Sequence, residues 1–132
     1  MKFLLDTNIC IYILNERPRF VLDIFLDKKN QCVISSITVE ELYYGVCNSS
    51  KREKNLQAVN NFIDNFIILS FDSKEAMLCG QHRYMLQKMG KTIGHNDLMI
   101  ASVALQYDLV LVTNNEKEFI RIPNLKIENW AK

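Results

Sequence analysis

Phe3-Leu4-Leu5-Asp6-Thr7-Asn8 is a short run of large apolar side chains that stops at an acid. Three apolar residues in a row leave no polar face, so the run reads as a strand buried on both sides. Cys32-Val33-Ile34-Ser35, Phe66-Ile67-Ile68-Leu69 and Leu109-Val110-Leu111-Val112 repeat the pattern, and Lys126-Ile127-Glu128 reads as a short strand at an edge. Between them the apolar spacing turns helical, over Ile9 to Leu14, Phe20 to Asp27, Val39 to Cys47, Lys51 to Asp64, Ser73 to Met89 and Leu98 to Tyr107. In these stretches Leu42, Tyr43 and Val46 fall at helical spacing, as do Leu56, Val59, Phe62 and Ile63, and Gly90 stands where a helix-ending glycine belongs. Strands alternating with helices predict an α/β fold: a mostly parallel central sheet of about five strands, flanked by helices. In such sheets, sites form beyond the carboxyl ends of the strands.

The chain has 132 residues, which fits one domain spanning 1–132 with a substantial core. Its apolar share of 48% and its scarcity of Gly and Pro exclude a disordered or low-complexity chain. A formal net charge of +1 neither favours nor opposes a nucleic-acid partner, because a local field decides that contact. Cys10, Cys32, Cys47 and Cys79 are far apart, form no C-x-x-C pair and lie in apolar surroundings. They predict buried thiols rather than a zinc site. The apolar run at the N-terminus is too short for a signal peptide, and no run approaches the length of a membrane span, so a reduced, cytoplasmic protein is expected.

The chemistry gathers at the strand ends. Asp6 ends the first strand. Asn114, Asn115 and Glu116 follow the fourth just past Thr113, with Glu118 beyond them. Asp97 stands at the start of the helix feeding the fourth strand, and Glu41 lies early in the helix after the second. A doubly wound sheet would bring these acids to one end. Several carboxylates around one pocket repel one another unless a cation or shared protons relieve them. A hard divalent ion takes oxygen ligands, and such ions promote in-line displacement at phosphorus. Each acid also has an ordinary reading. Asp6 suits a helix N-cap, Glu41 follows Thr38 at capping-box spacing, Asp97 suits a helix N-terminus behind Asn96, and Glu118 could be a solvated surface acid.

Four segments together resemble the motifs of PIN domains. They are Leu4-Leu5-Asp6-Thr7-Asn8; Ser35-Ser36-Ile37-Thr38-Val39-Glu40-Glu41-Leu42 with Tyr44-Gly45; Gly94-His95-Asn96-Asp97-Leu98-Met99-Ile100-Ala101; and Leu111-Val112-Thr113-Asn114-Asn115 through Phe119. With Arg121-Ile122-Pro123-Asn124-Leu125 and Glu128-Asn129-Trp130, the pattern is similar to VapC-type toxins of bacterial toxin–antitoxin pairs across essentially the whole chain. The resemblance implies a PIN fold and an endoribonuclease dependent on Mg²⁺ or Mn²⁺. It also implies a VapB-type antitoxin as inhibitor and a homodimer that assembles further with antitoxin, which alone contacts promoter DNA. The Thr-Asn-Asn ending is similar to that of members that cut initiator tRNA in the anticodon loop. Asn115 departs from the Asp that many PIN domains carry there, and Glu118 is the candidate to supply the missing acid.

On this reading Asp6 and Asp97 hold the principal metal, and Glu41 joins directly or through water. Glu118 and Asn115 complete the outer side or hold a second ion, while Thr7, Asn8 and Thr113 orient the carboxylates. Lys51, Arg52 and Lys54, and then Arg83, Lys88 and Lys91, are candidate phosphate contacts. Tyr43, Tyr44 and Tyr84 suit base stacking or packing in a core or dimer. His82 reads as structural, and His95 as a possible phosphate contact. Two histidines so far apart give little support to metal-free acid–base cleavage. Two rival classes are weaker. A phosphatase of the haloacid-dehalogenase type would need an acid at position 8, where Asn8 stands, and a binding module without activity would have lost the acids that this chain keeps.

Overall fold

The computed structural model describes all 132 residues. Five strands alternate with seven helices. The first half runs β1 (Phe3–Leu5), α1 (Thr7–Asn15), α2 (Arg19–Lys28), β2 (Cys32–Ser35), α3 (Ser36–Cys47), α4 (Arg52–Ile63) and β3 (Ile68–Leu69). The second half runs α5 (Ser73–Lys88), α6 (His95–Gln106), β4 (Val110–Val112), α7 (Glu116–Phe119) and β5 (Lys126–Glu128). The sheet is all parallel in the order β3-β2-β1-β4-β5. From β1 the chain winds outward to β2 and β3, then crosses to the other side of β1 to lay down β4 and β5. β1 and β4 therefore flank the point where the winding reverses, where α/β sheets open a crevice at their carboxyl ends.

Alternation along the central strands divides the core between the two faces of the sheet. Phe3, Leu5, Ile34 and Val112 pack on one side with Ile9, Val21, Val59 and Phe62. Leu4, Val33 and Leu111 pack on the other with Leu86, Ile100, Ala101 and Val103. Trp130 seals the first layer, its ring set edge-to-face against Phe3 with the centroids 5.3 Å apart.

Four expectations need correction. The third apolar run is not covered on both faces: Ile67 and Ile68 are 63% and 41% exposed, because β3 is an edge strand whose one partner is β2. Leu56 also faces solvent, while Val59, Phe62 and Ile63 carry the contact of α4. Cys47 is exposed, since the last turn of α3 turns Val46 inward and the next residue outward; the other three cysteines are buried. Thr38 does not cap α3. Ser35 does, with its Oγ accepting from Thr38 N at 3.2 Å, which leaves Glu41 outside any capping box. The capping box belongs to α5, between Asp72 and Glu75, and Gly90 follows that helix at φ 67°, as the left-handed position after a helix requires. The short α7, only four residues long, shows too little periodicity to be read from sequence.

Candidate active site

Asp6 is placed by the strand that precedes it. Its backbone N–H donates to Val112 O at 2.9 Å, locking the end of β1 to the end of β4 at the reversal of winding. The side chain, 4% exposed, caps α1 by accepting from Thr7 N at 2.8 Å, and its second oxygen accepts from Thr113 Oγ1 at 2.7 Å. Capping and site geometry are therefore one arrangement. Burial pushes the Asp6 carboxyl up, the Thr113 and Thr7 hydrogen bonds oppose that, and the charge of Glu41 raises it further.

Glu41 comes from the adjoining α3. Thr7 Oγ1 donates to its Oε1 at 2.6 Å and Asn96 Nδ2 to its Oε2 at 3.3 Å. Thr7 also meets the Thr38 hydroxyl at 3.0 Å. Asp97 lies in the first turn of α6, which begins two residues earlier at His95 with Gly94 as its cap; neither Asn96 nor any other side chain caps this helix. A Cβ placed on Gly94 would stand 3.8 Å from Asp97 Oδ2, so the loop entering α6 passes directly against the carboxylate. From α7 and its approach, Asn115 Nδ2 donates to Glu118 Oε2 at 2.9 Å and lies 3.4 Å from Asp97 Oδ2. Thr113 Oγ1 accepts from Asn115 N at 2.9 Å, which ties this amide to the Asp6 network.

Asp6, Glu41, Asp97 and Glu118 thus stand around one end of the sheet. The Asp97 carboxyl is pushed up to about 7. Burial contributes most, followed by the Asp6 charge, the hydrogen bond with Glu118, and the charges of Glu118 and Glu41. No cation answers this charge. The chain's ion pairs are Arg19–Asp23, Lys126–Asp108 and Lys132–Glu116, and none touches the four acids. Hydroxyls and amides orient the carboxylates without neutralising them. Such a donor set fits a hard divalent ion. No three His, Cys, Asp or Glu side chains form a ready-made cage.

Other expected participants lie elsewhere. Asn8 touches no carboxylate; its Oδ1 accepts from Asn114 N at 3.4 Å, and Asn114 bonds onward to Tyr12 and Asn129. Glu116 is drawn to Asn129 and Lys132, which lower its carboxyl. His82 bonds the Leu78 carbonyl at 2.9 Å, a structural role. Tyr43 ties α3 to α4 through Asn60 at 2.6 Å, whereas Tyr44 and Tyr84 are 66% and 64% exposed and not core residues. Lys54 lines, with Glu41, an apolar groove of about 440 Å³ between α1, α3 and α4, and Lys88 lies over the Tyr84 ring. Sequence reasoning missed the contact of Asn96 with Glu41, and spacing carried no sign of a pair so far apart along the chain.

Comparison with known proteins agrees with this architecture. The family model described as PIN domain matches residues 3–125. The chain is 45% identical over 134 residues to Ribonuclease VapC2 of Rickettsia felis, covering all of both chains. It is 42% identical over 131 residues to the tRNA(fMet)-specific endonuclease VapC of Salmonella typhimurium, covering 99% of each. Among solved structures it resembles a chain of VapBC2 from Rickettsia felis, crystallised bound to a DNA fragment from their promoter. The TM-score there is 0.92 at 41% identity, over 99% of this chain and 100% of that one. By sequence and fold, the chain belongs to the PIN-domain family, among its VapC-type members.

Proposed function

We propose that this chain is the toxin of a toxin–antitoxin pair, an endoribonuclease that cuts RNA with Mg²⁺ or Mn²⁺ and is held inactive by a VapB-type antitoxin. The observation that carries the reading is the group of four unneutralised acids at the reversal of sheet winding. Its support from relatives is their naming as ribonucleases, one of them specific for tRNA(fMet), and the crystallised VapBC2 complex on promoter DNA.

Asp6 and Asp97 would hold the ion, with Glu41 joining directly or through water, and Glu118 and Asn115 completing the outer side. When bound, the ion supplies charge to the scissile phosphate and lowers the pKa of water at neutral pH. The chain's own part is orientation. Thr7 and Thr113 fix both oxygens of Asp6, Thr7 and Asn96 fix those of Glu41, and Asn115 fixes Glu118 beside Asp97. Side chains held this way lose no further freedom when substrate arrives. Initiator tRNA, cut in the anticodon loop, is the proposed target. The assembly is a homodimer that binds antitoxin, with promoter DNA contacted through the antitoxin. No helix is long and apolar enough to cross a membrane.

Induction of the wild type should arrest growth and leave initiator tRNA cut in the anticodon loop, other tRNAs intact. Asp6→Ala should abolish both while still co-purifying with the antitoxin. Growth arrest by a folded Asp6→Ala protein would remove Asp6 from the catalytic site.

A further inference from the structure

Beside the acids lies their electrostatic opposite. Between the α5–α6 loop and α7 runs a groove of about 460 Å³ lined by Gly90, Lys91, Thr92, Lys117, Ile120 and Arg121. Three of these six residues are cations and none is an acid. None of the three cations belongs to any of the chain's ion pairs. The acids of α7 are engaged elsewhere: Glu116 by Asn129 and Lys132, Glu118 by Asn115. A contiguous hollow of about 170 Å³, sharing Thr92, adds Arg83.

The groove is built. Arg121 Nη1 donates to Thr92 O at 2.7 Å, fastening the loop to the end of α7. Lys91 N bonds Leu86 O at 2.9 Å as the chain turns through Gly90. Both walls of the groove run along the chain to the site. Its loop ends at Gly94 against the Asp97 carboxylate, and its other wall, α7, carries Glu118.

Four carboxylates repel a polyanion, and a net charge of +1 provides no overall attraction, so a phosphate chain needs local cations next to the site. Among the groove's side chains, two Lys offer point charges, Arg121 is partly committed to a carbonyl, and Ile120 offers no hydrogen bond. That set neutralises phosphates and reads no bases. Resting on the ribonuclease reading above, we propose that this groove is a second substrate subsite: it holds the sugar–phosphate backbone of the RNA flanking the cut, independently of sequence.

The test is equilibrium binding of a fluorescent single-stranded RNA to Asp97→Asn protein, with and without Lys91→Gln and Lys117→Gln together, across a salt series. Loss of two phosphate contacts should flatten the slope of log affinity against log salt by about 1.4, and weaken binding roughly 10- to 30-fold at 0.1 M salt. The loss should be equal for unrelated sequences, and in the active enzyme it should appear as a raised KM. Removing the same charge elsewhere, with Lys28→Gln and Lys126→Gln, should leave the slope near that of the parent. An unchanged slope, a loss confined to one sequence, or lost antitoxin binding with RNA affinity intact would overturn the subsite, as would a parent that binds no RNA. RNA that binds through these lysines but is never cut by the wild type would refute the ribonuclease reading and leave the subsite standing.

Discussion

Asp97→Asn should make the metal-free protein more stable while removing its activity. Asp97 has neighbours that oppose its ionisation, and its carboxyl sits at about 7 instead of its ordinary 3.8. In the folded state it therefore binds a proton more tightly than in the unfolded chain. Between about pH 4 and pH 7 the folded state holds the extra proton, so stability falls as pH rises through that window. Above it the full penalty is in place. Undiminished, a change of that size is worth roughly 4 kcal/mol. Solvent reaches half-buried Asp97, and screening reduces the figure to about 1–2 kcal/mol. Asparagine keeps the shape, can still accept from Asn115, and carries no charge. For a chain of this length 1 kcal/mol moves Tm by roughly 3–5 °C, so in EDTA at pH 8 the variant should melt about 4–8 °C above the wild type. At pH 4.5 most of that difference should be gone. Thermal melts across pH in EDTA make the measurement. A variant no more stable than wild type at pH 8, or an advantage that persists unchanged at pH 4.5, would refute the claim that these acids repel one another.

Millimolar Mg²⁺ or Mn²⁺ at pH 8 should raise the Tm of the wild type and leave Asp97→Asn nearly unmoved, since an ion that binds only the folded state stabilises it by mass action; equal shifts in both would place the ion elsewhere. Thr113→Val keeps the buried shape but strips Asp6 of its 2.7 Å donor, and should cost about 1–3 kcal/mol in urea unfolding as well as activity. Asn115→Ala should leave the fold intact and weaken metal affinity roughly 10- to 100-fold by calorimetry, because it frees both Glu118 and Asp97. Asn115→Asp should do the reverse, binding metal more tightly while melting lower in EDTA, through one more like charge in the cluster.

Much of this was legible from Phe3 onward. The four strand-like runs and the acids beyond them encode the sheet and its populated end, because buried parallel strands write themselves as apolar blocks and the winding then dictates what meets. β5 is the edge strand its polar ends indicate, with Lys126 and Glu128 exposed. Less was legible where a long-range partner decides. Ile67 and Ile68 look like core, and only the strand order shows that β3 lacks an outer neighbour. Thr38 has a capping residue's spacing to Glu41, but the chain enters α3 three residues earlier at Ser35. Asn8 looked like a carboxylate holder beside Asp6, yet it faces Asn114, one residue past the Thr113 that does hold the acid. The basic groove escaped for the same reason. Lys91 is a phosphate candidate by sequence, but Lys117 and Arg121 lie on and after a four-residue helix too short to have a period, and only the Arg121–Thr92 bond brings them to the loop.

On the proposed function, this carboxylate cluster cuts RNA with a divalent ion. The most direct measurement is incubation of antitoxin-free protein with total cellular RNA in Mg²⁺, in Mn²⁺ and in EDTA, beside folded Asp97→Asn. Discrete products are expected with either ion, none in EDTA and none with the variant. Products that persist in EDTA or with the variant, or no cleavage by folded wild type under any ion, would contradict it.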